Sequence, residues 1–124
     1  MGIALINLHT GKYYDVNPKY AAIVNRNVEE LLSINPSDII HPDDLSSYKK
    51  DIKRILNQQL YDSKIVARVL RSDMSIIWIE MSIVPFETVG NLEVCYLCMI
   101  EDITERKRLI ENLRHLTTYL QDVR

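Results

Sequence analysis

Residues 93–103, EVCYLCMIEDI, run without a break into residues 104–124, TERKRLIENLRHLTTYLQDVR. The first segment is almost continuously apolar up to Ile100, which is typical of a buried β-strand. In the second segment apolar residues recur at steps of four, three, four and three, so they share one seam of a helix. Five residues form that seam: Leu109, Leu113, Leu116, Leu120 and Val123. The sequence predicts a strand that leads directly into a helix able to pair with a copy of itself.

Upstream of this segment the chain shows four more strand-like stretches. Residues 65–69 and 77–83 carry apolar side chains at every second position, so each presents one apolar face. The polar residues 72–75 between them predict a tight turn. Residues 3–8 and 13–16 flank another turn and predict a hairpin near the N terminus. Five strands in this order predict an antiparallel sheet, because hairpins join antiparallel neighbours.

Between the second and third strands the apolar spacing changes to that of helices. Asn17 and Asn27 are favourable N-caps, and Pro18 suits the first helical position because its missing N–H has no partner there. Residues 37–40 predict one helical turn, and residues 45–60 predict the longest internal helix. These helices must cover one face of the sheet. The predicted fold class is therefore α+β, with one five-stranded antiparallel sheet under a helical lid.

Composition and charge narrow the classes of function. The 124 residues are 47% apolar, which suffices for the core of one domain. A net charge of -2 with no basic stripe argues against nucleic-acid binding. Three glycines leave no room for a Gly-rich phosphate loop. No long apolar run or signal peptide is present, so we expect no membrane contact by this segment and a cytoplasmic location, alone or within a membrane-anchored receptor.

The reactive side chains form no recognisable catalytic set. Cys95 and Cys98 match C-x-x-C, but residues three apart in a strand face opposite ways, so burial as small apolar residues is favoured over a metal or redox pair. His41, Asp43 and Asp44 open a helix, where capping and the helix dipole already explain them. We therefore expect no catalytic residue, no metal site and no enzyme activity in this chain.

Five motifs, in this order, resemble the PAS sensor family. DVNP at 15–18 is similar to the family's strand-to-helix step, and EELL at 29–32 to its second short helix. HPDD at 41–44 resembles the element that opens the longer helix, and RSDMSIIWIE at 71–80 resembles a family hairpin. EDITERK at 101–107 resembles the junction that ends the domain. Each motif alone is weak, but five in the right order are specific.

The resemblance implies a domain organisation and a function. Residues 1–103 would form the PAS sensor domain, and residues 104–124 a linker helix that ends before an output domain. The family's outputs are typically a histidine kinase or a cyclic-dinucleotide enzyme, so a downstream effector in cis is one expected partner. We expect a sensory module that signals through a dimeric C-terminal helix. The alternative is a ligand-free dimerisation and interaction scaffold.

One residue departs from the family pattern. Met74 stands where the family usually has Gly in the hairpin turn. A non-Gly residue there either avoids a positive φ or is strained by it. The sequence therefore predicts a longer turn or a turn of another type.

The resemblance also places a ligand pocket between the sheet and the lid. Its only marked polarity would come from the hydroxyls of Tyr48 and Tyr96, which suits a small apolar or aromatic ligand. A core filled by its own side chains is the alternative. The wall would consist of Ile40, Leu45, Tyr48, Ile52, Ile65, Ala67, Val69, Ile77, Ile79, Met81, Ile83, Tyr96 and Cys98.

The identity of any cofactor stays open, but two family modes are not expected. Haem-binding members take their iron ligand from the longer internal helix, and residues 45–60 contain no His. The flavin photosensors use a Cys within G-x-N-C-R-F, and this chain contains no such string. We therefore expect neither His-ligated haem nor a Cys–flavin adduct in this chain.

The opposite face of the sheet is expected to carry Trp78, Leu97 and Met99. Three large apolar side chains on an open sheet face need a cover, either a flanking segment or a partner subunit. The resemblance favours a partner subunit, or a mixture of the two covers, and we expect a homodimer. Asp102 and Glu105 are expected to form the capping pair that fixes where the last strand becomes a helix.

Overall fold

The computed structural model describes residues 1–58, 63–87 and 94–122. Within those ranges it has the predicted order of strands and helices and is an α+β fold, as expected. The elements are β1 (Gly2–Asn7), β2 (Tyr13–Val16), α1 (Pro18–Val24), α2 (Val28–Leu32), a 3₁₀ turn (Pro36–Ile39), α3 (Pro42–Gln58), β3 (Ser63–Leu70), β4 (Ile76–Glu87), β5 (Val94–Asp102) and α4 (Thr104–Asp122).

The described strands form one antiparallel sheet in the order β2-β1-β5-β4-β3. The last strand, β5, therefore lies in the centre, between β1 on one side and β4 on the other. In the middle of the sheet Cys98 stands opposite Ala4 of β1 and Ile83 of β4. A displacement of β5 would therefore also displace the strands on both sides of it.

The core lies between one face of this sheet and the helices. Side chains from all five strands belong to it, together with Tyr20, Val24, Leu31 and Ile55 from the helices. The residues predicted for the inner face of the sheet are all buried there: Ile65, Ala67, Val69, Ile77, Ile79, Met81, Ile83, Tyr96 and Cys98.

Two predicted helix starts are formed by their asparagines. The Oδ1 of Asn17 accepts from the Tyr20 N–H at 2.8 Å, and the Oδ1 of Asn27 accepts from the Glu30 N–H at 2.7 Å. Asn17 also accepts from the Ile3 N–H at 2.9 Å, so the same side chain ties the start of α1 to β1. These bonds satisfy N–H groups that have no partner within the helix.

The turn between β3 and β4 is a tight one, and of the two alternatives for Met74, avoidance of a positive φ or strain in holding it, the structure has the second. Met74 has a φ of 69° and donates its N–H to the Arg71 carbonyl at 2.9 Å. The Arg71 N–H donates to the Ser75 carbonyl, which closes a three-residue loop whose last residue is left-handed. Asp73 accepts from the N–H and hydroxyl of Ser75, and these bonds lower the pKa of its carboxyl. Local hydrogen bonds thus hold a conformation that Gly would adopt more easily.

Candidate functional site

A pocket of about 210 Å³ opens between α3 and the sheet, beside the turn that joins β1 and β2. Three of the predicted pocket residues, Tyr48, Ile52 and Tyr96, line it. The rest of the lining, which no sequence pattern predicted, is Gly11, Pro36, Ser37, Lys49 and Lys53. The two lysines lie on the exposed side of α3, at the mouth of the pocket.

The other predicted pocket residues lie in the interior without lining this pocket. Leu45 is only partly buried and packs against the core. The remaining nine are buried and pack within the core: Ile40, Ile65, Ala67, Val69, Ile77, Ile79, Met81, Ile83 and Cys98. The pocket therefore touches the edge of the predicted wall.

Four tyrosines cluster behind the pocket, and two of them, Tyr13 and Tyr20, were missed as site residues. Their hydroxyls lie 2.5 Å apart, and their rings meet edge to face with centroids 5.5 Å apart. The hydroxyls of Tyr48 and Tyr96 also interact with each other. In the sequence Tyr13 adjoins Tyr14, and only the register with β1 shows which of the two points inward.

Burial keeps the groups in this cluster neutral. Loss of hydration raises the pKa of all four tyrosines, and it raises the pKa of the Cys98 thiol to about 12. At neutral pH the tyrosine hydroxyls are therefore hydrogen-bond donors, and Cys98 is a poor nucleophile. Cys95 lies three residues away on the same regular strand, and among the described residues no cluster of His, Cys, Asp and Glu suits a metal ion.

On the opposite face of the sheet, the Trp78 ring contacts two cations. The Nζ of Lys107 is 4.2 Å from its ring centroid, and the Cζ of Arg68 is 5.2 Å away. The expected cover for Trp78 is therefore supplied in part by the chain's own α4, which starts directly above β4. Such cation–π contacts contribute roughly 0.5–1 kcal/mol each at exposed sites.

The start of α4 is anchored to β4 by hydrogen bonds to both backbone groups of Trp78. The Ile103 N–H donates to the Trp78 carbonyl at 2.9 Å, and the Trp78 N–H donates to the Thr104 Oγ1 at 3.0 Å. Asp102 accepts from the N–H and hydroxyl of Thr104 at 2.9 and 2.6 Å. The expected pairing of Asp102 with Glu105 is wrong, because Ile103 occupies the N-cap position and its carbonyl accepts the first helical bond from Lys107.

One ion cluster strengthens the same junction. Arg106 of α4 and Lys64 of β3 both pair with Glu80 of β4, at 3.0 and 3.3 Å. These two cations, Arg106 first, lower the pKa of the Glu80 carboxyl. The first turn of α4 is thereby linked across two strands of the sheet.

Arg68 connects this junction to the lid. Its guanidinium donates to both carboxylate oxygens of Asp44 on α3, at 2.8 and 3.0 Å. The backbone N–H of Arg68 donates to the same carboxylate at 2.8 Å. These bonds lower the pKa of Asp44. From the sequence Asp44 was explained only by the helix dipole, since its partner lies 24 residues away on another element. The Arg68 side chain thus lies between the start of α3 and Trp78.

The other two predicted outer-face residues, Leu97 and Met99, are half-buried. In the register of the sheet Leu97 stands opposite Leu5, and Met99 stands opposite Ile3. Ile3, Leu5 and Leu97 line a shallow pocket of about 220 Å³ on this side of the sheet. The outer face is therefore apolar beside β1 and partly open to solvent.

Beyond its first turn, α4 presents its apolar seam to solvent. Leu109, Leu113, Leu116 and Leu120 are 54 to 63% exposed, and no described residue of the helix is buried. Ile110 and Tyr119 are exposed on either flank of the seam. Val123, the last predicted seam residue, lies outside the described residues.

The family model for the PAS fold matches residues 1–103. The chain belongs to the PAS family. No curated protein sequence is detectably similar to it. No helix in the described ranges is both long and apolar enough to cross a membrane.

Solved structures share the fold of this PAS domain. A sensory box histidine kinase/response regulator from Burkholderia thailandensis E264 is 23% identical, with a TM-score of 0.75, and the match covers 98% of this chain and 90% of that one. A PAS domain from Colwellia psychrerythraea is 24% identical over 84% of this chain and 86% of its own, with a TM-score of 0.71. A light-oxygen-voltage domain studied with a flavin analogue is 15% identical over 92% and 87%, with a TM-score of 0.72.

Proposed function

We propose that this PAS domain is the sensory module of a signal-transduction protein and that it signals by changing how α4 pairs with a second copy. The observation that carries this proposal is the contrast within α4. Its first turn is fixed to β4 by hydrogen bonds and an ion pair, whereas the leucine seam beyond it is exposed. A helix held at one end and uncovered along its length is suited to transmit a movement of the sheet to a partner.

Two routes lead from the pocket to α4. Tyr96 lines the pocket on β5, and six residues later the same strand ends at Asp102, about 20 Å away at 3.3–3.4 Å per residue. The second route runs from the start of α3 through Asp44 and Arg68 to Trp78, whose ring contacts Lys107. Both routes end at the first turn of α4.

Pairing would stabilise α4 itself. A single helix of 19 residues is marginal in water, because its formation must offset the cost of nucleation. Burial of the seam against a second copy would stabilise the helix by roughly 25 cal/mol for each Å² of apolar surface removed from water. The tendency of packed interfaces to switch between discrete arrangements would turn a small shift at the junction into a change of register.

We place the module in the cytoplasm and assign it no catalysis of its own. It would control an output domain in cis, either a histidine kinase or a cyclic-dinucleotide enzyme. The Burkholderia thailandensis relative is itself described as a sensory box histidine kinase/response regulator. That likeness supports an output of the kinase type.

A flavin does not fit the described pocket, although one structural neighbour was studied with a flavin analogue. About 210 Å³ lies below the roughly 300–1,000 Å³ of pockets that enclose drug-sized ligands. The Cys98 thiol, with a pKa raised to about 12, is unsuited to forming a covalent adduct. Within our proposal the ligand is therefore small, and neither His-ligated haem nor a Cys–flavin adduct takes part.

The alternative function is a ligand-free scaffold that uses the same outer face and the same helix. The dense packing of fully buried residues such as Ile79, Ile83 and Cys98 favours it. Native mass spectrometry of the purified chain separates the two functions. A small molecule retained by the dimer supports the sensor, and a dimer that carries none at any protein concentration supports the scaffold.

Substitution of the seam tests the proposed pairing. Leu113→Lys with Leu116→Lys places two charges in the seam and should give monomers in analytical ultracentrifugation, while circular dichroism shows a folded domain. His115→Lys with Thr118→Lys adds the same two lysines off the seam and should leave the dimer intact. Dimers that persist in the seam variant would contradict the proposal.

A further inference from the structure

We propose that the pocket beside α3 binds a single-ring aromatic carboxylate, with the ring against Ile52 and the two tyrosines and the carboxylate toward Lys49 and Lys53. This inference rests on the proposed sensory function and adds a ligand class to it. It is carried by three observations: the volume of the pocket, the arrangement of its walls and the charge at its mouth.

The volume of the pocket suits a ligand of about one ring. A cavity of roughly 150 Å³ lined by apolar side chains is large enough to hold benzene. This pocket, at about 210 Å³, has room for such a ring, and its open mouth lets a substituent extend toward solvent.

The walls of the pocket separate an apolar interior from a charged mouth. On α3, Tyr48 and Ile52 are four residues apart and form one row, and Lys49 and Lys53 form the adjacent row. Tyr48 is buried and Ile52 is half-buried, whereas both lysines are exposed. A ligand bound between these rows has apolar surface around its inner end and cationic groups beside its outer end.

The cations at the mouth are available for an anion. Among the described residues neither Lys49 nor Lys53 is part of an ion pair, whereas Arg54 on the neighbouring face of α3 lies 4.0 Å from Asp51. The lysines therefore concentrate positive charge beside the pocket of a chain whose net charge is -2. A carboxylate gains attraction there without displacing an existing partner.

The hydroxyls of Tyr48 and Tyr96 supply the polar contacts inside. Burial raises the pKa of both tyrosines, so both carry their protons at neutral pH. The two hydroxyls share one hydrogen bond, in which one donates to the other, so one proton is left for a ligand. The pocket thus offers one donor at its inner end and cations at its outer end, and an anionic aromatic ligand matches both.

Calorimetric titration of the full chain with para-hydroxybenzoate and its neutral isostere para-hydroxybenzamide tests the charge preference. We expect the acid to bind at least about fivefold more tightly, and the difference to shrink as salt is added. Equal affinity for the two compounds, or no binding of the acid up to its solubility limit, would overturn the inference.

Matched variants test the location of the site. Lys49→Gln with Lys53→Gln should weaken binding of para-hydroxybenzoate about three- to tenfold, because two exposed ion pairs are lost. Lys50→Gln with Arg54→Gln removes the same charge from another face of α3 and should change affinity less than twofold. Ile52→Phe should fill the pocket and weaken binding, with thermal unfolding as the check on folding. A control pair that weakens binding as much as the first pair would refute the site.

The ligand inference and the proposed function fail in different ways. If para-hydroxybenzoate does not bind while the seam variant still gives monomers, only the ligand class is wrong. If the acid binds with the expected dependence on lysines but the wild-type chain is monomeric at every concentration, the pocket stands and the transmission through paired α4 helices is wrong.

Discussion

Met74 shows how one residue can hold a conformation that its side chain disfavours. Its φ of 69° lies in the left-handed region, and its side chain is 77% exposed, so no packing contact compensates. The hydrogen bonds of Asp73 and Ser75 hold the turn around it. The positive φ therefore lowers the stability of the domain, and a substitution at this position should recover that loss.

Met74→Gly should stabilise the domain by about 0.5–1 kcal/mol, because Gly adopts the positive φ without steric strain and no buried contact is lost. Urea denaturation measures the change. Met74→Ala keeps the strain and should match the wild type within about 0.5 kcal/mol. A Gly variant less stable than wild type would show that the Met74 side chain contributes contacts in solution.

The ion pair between Asp44 and Arg68 predicts how the stability of the domain changes at acid pH. In the folded domain the pKa of the Asp44 carboxyl lies below its ordinary value of 3.8. The pair therefore stabilises the fold above pH 3.8, and that contribution is lost as the pH falls through the folded pKa. Asp44→Asn removes the titration.

In urea denaturation between neutral and acid pH, the difference in stability between wild type and Asp44→Asn should be largest near neutrality and shrink at acid pH. Asp51→Asn, at a partly exposed residue of the same helix, serves as the control for loss of a carboxylate. A constant difference between wild type and Asp44→Asn across the range would contradict the assigned role.

At the level of elements, the junction between β5 and α4 depends on Thr104. Its hydroxyl accepts from the Trp78 N–H and donates to Asp102, so one side chain joins the end of β5, the start of α4 and the beginning of β4. The sequence predicted a strand followed at once by a helix at this place. It did not reveal that the helix is attached to the neighbouring strand, because that contact spans 26 residues.

Thr104→Val should destabilise the domain by about 1–3 kcal/mol, because the partly buried Trp78 N–H loses its acceptor without gaining water. Thr104→Ser retains the hydroxyl and should lose less than half as much. Thr117→Val removes a hydroxyl that bonds the Leu113 carbonyl on the exposed helix and should have almost no effect. Thermal unfolding gives the ranking, and hydrogen exchange at 103–107 should increase only in Thr104→Val.

For the whole molecule, the sequence predicted what depends on local pattern. Alternation identified the inner face of β3 and β4, and asparagine caps located α1 and α2. Contacts between distant elements were not predictable, because no local pattern records them. Arg68 with Asp44, Lys107 over Trp78, and Lys49 beside Tyr96 each join residues that only the folded sheet brings together.

The position of β5 in the middle of the sheet has a consequence for biosynthesis. A nascent chain that ends before residue 94 contains two separate hairpins, β1–β2 and β3–β4, each with an unpaired edge that invites association with other chains. The domain closes only when its last strand is inserted between them, a late and non-local step. Folding of this domain and the appearance of α4 are therefore nearly simultaneous, so anything that follows α4 emerges behind a domain that has only just become complete.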